Sequence, residues 1–106
     1  MVTQEQIKEL IEKIVSEYEP EKIYLFGSYA DGNVNKDSDI DLLVIKEVNE
    51  SRTKRIIDLK TRLLKYKFNF PLDLLVYTEE EMRNENLGKF SFIYDVLNNG
   101  KVLYER

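Results

Sequence analysis

The sequence contains no cysteine and no histidine. Without cysteine there is no disulfide and no thiolate zinc site. Without histidine, general acid–base work falls to carboxylates, lysine or tyrosine. No apolar run approaches the ~20 residues of a membrane span. The opening MVTQEQIKEL is polar and amphipathic rather than a secretory signal, so the cytoplasm is the expected location. Excess positive charge is missing too: 16 basic residues face 20 acidic ones, a net charge of −4. Phosphate contacts dominate sequence-independent nucleic-acid binding, so no direct nucleic-acid partner is expected. There are no internal repeats, low-complexity tracts or linkers, and the 106 residues read as a single domain, 1–106. With 42% hydrophobic and 34% charged residues, the chain is globular rather than disordered.

What is present concentrates in the stretch 24–45, YLFGSYADGNVNKDSDIDLLVI. An apolar run, Ile23-Tyr24-Leu25-Phe26, stops at Gly27-Ser28; ten residues later Asp39-Ile40-Asp41 opens a second run, Leu42-Leu43-Val44-Ile45. Residues two apart on a strand share a face, which places Asp39 and Asp41 together and Ile40 and Leu42 opposite. Two like charges held side by side repel, and a divalent cation with hard oxygen ligands resolves that repulsion. Gly27 lacks a Cβ, so a phosphate can approach its backbone. Ser28 begins a short turn or helix whose free N–H groups and hydroxyl suit phosphate oxygens. Taken singly, each piece has an ordinary account: Asn33, Asn35, Asp37 and Ser38 are turn formers. Taken together, they point to a metal–nucleotide site.

The flanking chain reads as support. A helix over 3–18 carries Ile7, Leu10, Ile11, Ile14, Val15 and Tyr18 on one stripe, with Thr3 and Gln6 as a capping box. Strands are expected at 22–26, 39–45, 70–77 and 101–104. Lys36, in the loop 31–37, could reach a phosphate. A long helix within 47–67 begins near 49–51. Ile56, Ile57, Leu59, Leu63, Leu64 and Tyr66 form its apolar face. Arg52, Lys54, Arg55, Lys60, Arg62, Lys65 and Lys67 form a basic face, solvated or docking an acidic partner or RNA held by that partner. Thr78 and Glu81 form a second capping box, opening a short helix through Arg83. A further helix over 87–97 has Phe90, Ile93, Tyr94 and Leu97 in register, and Asn98-Asn99-Gly100 ends it.

Ser28 leaves the first strand where Asp39 and Asp41 enter the second, so those strands must run antiparallel for the groups to meet. The long helix makes a right-handed crossover to a parallel third strand. That brings Asp73 to the same end as Asp39 and Asp41. The expected fold is α/β (α+β), a mixed β sheet with helices packed on it.

Gly27-Ser28, ten residues and Asp39-Ile40-Asp41 resemble the GSx10DxD signature of minimal nucleotidyltransferases, the smallest branch of the polymerase β-like superfamily. Ala30, Gly32, Ser38 and Leu42 fit its GSxAxG…SDIDL form. The strand Phe70-Pro71-Leu72-Asp73-Leu74-Leu75-Val76 supplies a third carboxylate, and Val102-Leu103-Tyr104-Glu105 an LYE-type ending. The resemblance spans nearly the whole chain and implies a polymerase β-like palm that transfers a nucleotide in a Mg²⁺-dependent, two-metal reaction. Asp39 and Asp41 would bridge the metals. Asp73 would hold the catalytic metal and take the proton of the nucleophile. Gly27 and Ser28 would hold the β- and γ-phosphates of ATP. Minimal nucleotidyltransferases are commonly antitoxins of helical HEPN-type RNase toxins and resemble protein adenylyltransferases that place AMP on a tyrosine of the toxin. Two other readings stand beside this one: an antitoxin that masks its partner without chemistry, and an enzyme acting alone on a small hydroxylated molecule.

Overall fold

Four strands make one mixed sheet in the order β3-β2-β1-β4. The computed structural model describes residues 1–86, 88 and 91–106. Helix α1 (Gln4–Tyr18) leads into β1 (Lys22–Phe26), a one-turn helix α2 (Ser28–Asp31) and β2 (Ile40–Ile45). Helix α3 (Arg52–Leu63) runs into a 3₁₀ turn (Leu64–Tyr66) and then β3 (Leu72–Tyr77). Helices α4 (Glu79–Glu85) and α5 (Phe92–Asn99) precede β4 (Lys101–Glu105). As expected, β1 is antiparallel to β2, and β2 is parallel to β3.

Alternation along the strands sorts the side chains into two layers. Ile23, Leu25, Ile40, Leu42, Val44, Leu74 and Val76 face α1 and α3 and form the main core with Leu10, Ile14, Leu59 and Leu63. Tyr24, Leu43, Ile45 and Tyr77 face the other way, against Met82 of α4 and Ile93 and Val96 of α5. β2 is buried on both faces, which is why it reads as a continuous apolar run after its acids. Both capping boxes form: Thr3 accepts from the Gln6 N–H and Thr78 from the Glu81 N–H.

Several boundaries differ from the sequence reading. Asp39 lies just ahead of β2 rather than within it, and β3 starts at Leu72, after Pro71. Ser51 caps α3, accepting from Lys54 N–H. Of the expected apolar face of α3, Leu59 and Leu63 are buried, whereas Ile57 and Leu64 are 59% and 72% exposed. Arg55, assigned to the solvated basic face, is buried at 7% exposure. It donates to the Val76 carbonyl at 3.1 Å and the Glu81 carboxylate at 2.6 Å. The i, i+3/i+4 apolar pattern of the helix cannot distinguish this buried arginine from its neighbours; the signal lies in its partner, an acid 26 residues away. In α5 the buried pair is Ile93 and Val96, with Tyr94 and Leu97 exposed, and Ser91 caps the helix. The expected beginning of that helix at Leu87, and its Phe90, lie outside the described residues.

Candidate functional site

The site forms where β1 stops. Phe26, the last residue of β1, lies opposite Asp41 in the antiparallel register, and Asp41 lies opposite Asp73 in the parallel one. Three side chains on adjacent strands therefore share one face of the sheet, the face covered by α5. Phe26 packs edge-on against Phe92 of α5, with ring centroids 5.1 Å apart and planes at 79°. Asp41 is half-buried, while Asp39 and Asp73 are exposed. Burial pushes the Asp41 carboxyl up to about 6, and the charges of Asp73 and Asp39 push it the same way.

Gly27 closes the other side. Its backbone takes φ 73° and ψ −155°, a conformation almost closed to residues bearing a Cβ. A Cβ there would overlap Asp41 Oδ2 and stand 3.1 Å from its Cγ. The bare backbone of Gly27 is thus what admits the Asp41 carboxylate. Gly27 also starts α2 without any side-chain cap. The Ala30 and Asp31 N–H groups return to the Gly27 carbonyl at 3.0 and 3.2 Å, which leaves the Ser28 and Tyr29 N–H groups without an intrahelical acceptor.

A cavity of about 260 Å³ adjoins Gly27, lined by Phe26, Asp31, Asp95, Asn99 and Gly100. The Asn99 side chain donates to Asp95 at 2.7 Å. Sequence reasoning did not foresee that the end of α5 would border the site: only the pairing of β4 with β1 brings it there. Lys36 lies elsewhere, in a second cleft with Ser38, Tyr29, Gln6 and Asn69.

Among the described residues, none of the ion pairs involves Asp39, Asp41 or Asp73. Nor are any three acids gathered tightly enough to enclose a metal unaided. The donor set is nevertheless all oxygen, like-charged and not ion-paired among the described residues. It fits a hard cation such as Mg²⁺, which takes one or two carboxylates and completes its shell with phosphate oxygens and water.

Residues 8–106 match the family described as polymerase β, nucleotidyltransferase. The chain belongs to the polymerase β nucleotidyltransferase family. It is 38% identical over 106 residues to a Methanocaldococcus jannaschii protein named "Putative protein adenylyltransferase", covering 98% of this chain and 100% of that one. Its fold matches a Sulfolobus solfataricus protein described as a "putative nucleotidyltransferase", with a TM-score of 0.65 and 21% identity over 94% of this chain and 78% of that one. It also matches a chain from a toxin–antitoxin crystal structure with AMP-PNP, with a TM-score of 0.60 and 24% identity over 93% of this chain and 73% of that one. The mixed sheet with its covering helices is the polymerase β-like nucleotidyltransferase fold, and the chain is a nucleotidyltransferase.

Proposed function

We propose that this nucleotidyltransferase moves AMP from ATP to a tyrosine hydroxyl of a cognate HEPN-type RNase toxin and so acts as its antitoxin. One observation carries the chemistry: Asp41, held against the bare backbone of Gly27, stands in register beside Asp73, and among the described residues neither acid is ion-paired. The relative named as a protein adenylyltransferase, similar over its entire length, supports a protein acceptor. The toxin–antitoxin structure with AMP-PNP supports the pairing and the nucleotide.

In this reading the Gly27 backbone and the Ser28 hydroxyl and N–H orient the β- and γ-phosphates. Asp39, Asp41 and Asp73 would hold Mg²⁺, which supplies charge neutralisation at the transferring phosphate and the departing pyrophosphate. The tyrosine oxygen attacks the α-phosphorus, the bond to the β-phosphate bridging oxygen breaks, and pyrophosphate leaves. The phenolic proton passes to Asp73, the exposed acid of the pair. A phenol with a pKa near ~10 gives up that proton more readily than an alkyl alcohol. All four strands join one sheet, at one end of which the described residues offer a donor site. The added phosphodiester brings charge and bulk, enough to block an RNA-binding cleft.

Intact mass spectrometry of the toxin, before and after incubation with this protein and Mg·ATP, tests the reading. Gains of AMP, absent with Asp39→Ala/Asp41→Ala, are expected together with loss of RNase activity. Full silencing by the double variant, with no mass change in any sample, would replace the enzyme with an antitoxin that masks without chemistry.

A further inference from the structure

β3 lies at an edge of the sheet. Its odd-numbered residues turn their backbone groups toward β2: Ile40 N–H donates to the Pro71 carbonyl and Lys46 N–H to that of Tyr77, each at 3.0 Å. Leu72, Leu74 and Val76 therefore turn theirs outward. Arg55 occupies the outward Val76 carbonyl. Among the described residues nothing meets the outward groups of Leu72 and Leu74, the two residues that flank Asp73. The edge is closed at one end and open at the end that bears the acid.

Below that open end runs a groove of about 220 Å³, lined by Leu64, Phe68, Leu72 and Leu74 with Lys60 and Lys67 among its walls. Ile57, Lys60 and Leu64 are three and four apart, so an exposed stripe of the helical segment leads into it. No acidic residue lines the groove, and neither lysine is ion-paired among the described residues. In a chain of net charge −4 this is a local reversal of sign. An apolar floor between unpaired cations is complementary to an acidic polypeptide with an apolar anchor. Its apolar lining disfavours the phosphate-rich surface of RNA.

We propose that an extended, acidic segment of the acceptor protein adds to the open edge of β3 and seats an apolar side chain in this groove. The inference rests on the protein-acceptor reading above and locates the contact. Strand alternation joins anchoring to chemistry. A residue pointing into the groove has neighbours pointing to the opposite face, one interstrand spacing of about 4.8 Å from Asp73. A tyrosine there would offer its hydroxyl to the acids while backbone hydrogen bonds hold the register.

The test uses the full chain with an alkyne-bearing ATP analogue in a lysate of the source organism. The labelled acceptor is then purified and used as substrate. Lys60→Glu/Leu64→Glu changes two exposed side chains outside the nucleotide site. It should raise KM for the acceptor about tenfold or more, leave Mg·ATP affinity unchanged and retain most of kcat. Lys54→Glu, an exposed charge reversal elsewhere on α3, should not raise KM. An unchanged KM in the double variant overturns the docking site while leaving protein adenylylation intact. Absence of any labelled protein with the wild type overturns both. RNA-oligonucleotide binding lost in the double variant would reassign the groove and overturn the proposal.

Discussion

Gly27 and Asp41 fit only because one of them has no side chain: a Cβ on Gly27 would overlap the Asp41 Oδ2 atom. Gly27→Ala should therefore fail twice, through that collision and through a positive φ that costs roughly 1–2 kcal/mol. A lower melting temperature and loss of Mg·ATP binding by calorimetry are expected. Adding Asp41→Ala should restore the collision part of the stability but neither the backbone part nor the binding. Full thermal recovery in the double variant would show that φ carries no strain.

Asp41 should act as an internal burden on the apo fold. Its carboxyl is raised to about 6 by burial and by its acidic neighbours. The folded state thus binds more protons than the unfolded chain between the ordinary aspartate range and pH 6. Stability from this group rises as pH falls through that window and is lost as pH rises through 6. Asp41→Asn should stabilise the apo protein at pH 7 by about 1 kcal/mol, after allowing for solvent screening, and flatten this part of the pH profile. Urea denaturation at pH 5 and pH 7 reads both effects. Mg·ATP binding should weaken below pH 6 in the wild type, as protons compete for the same oxygens.

Asp73→Asn should separate chemistry from binding. Asp73 is exposed and sits beside Asp41 rather than against Gly27, so its loss spares the phosphate contacts. We expect AMP transfer to drop by about 10²-fold or more, with Mg·ATP affinity within a few-fold of wild type. Equal loss of affinity in Asp73→Asn and Asp41→Asn would mean that the acids act as one undivided cage.

The heaviest structural dependence lies at the other end of β3. Arg55, buried, joins Glu81 and the Val76 carbonyl; Arg52 adds a 2.7 Å contact to Glu85 and lies 4.0 Å from the Tyr77 ring. Burial pushes Glu81 up, but Arg55, the Thr78 N–H and Arg52 outweigh it and hold the carboxyl below its usual range. Arg55→Ala strands the Val76 and Glu50 carbonyls and the Glu81 carboxylate and should cost about 2 kcal/mol, with Glu81 partly solvated. Equilibrium denaturation of Arg55→Ala, with Arg55→Met as the apolar filler, reads that cost. Ligand binding should survive wherever the variant is folded.

The placement of the acids and the pairings of β2 with β1 and β3 were legible because they obey short-range rules. Asp73 could be assigned to the end bearing Asp41 from a single crossover helix, and the two now lie directly opposite each other. Arg55 was not legible: a burial decided by Glu81 leaves no trace in the local helical pattern. Ile57 and Leu64 misled for the related reason that an apolar residue on an amphipathic helix need not face the core. The cavity beside Gly27 escaped because Asp95 and Asn99 reach it only through a long-range pairing, β1 with β4.

The arginine clamp and the acids occupy opposite ends of β2 and β3, and this separation shapes how such a chain can drift. Exchanging Asp41 for asparagine would extinguish the chemistry and firm the scaffold in the same step, without touching Arg55 or the β3 edge. A catalytically silent variant with an intact sheet and an intact β3 edge is therefore one nucleotide substitution away.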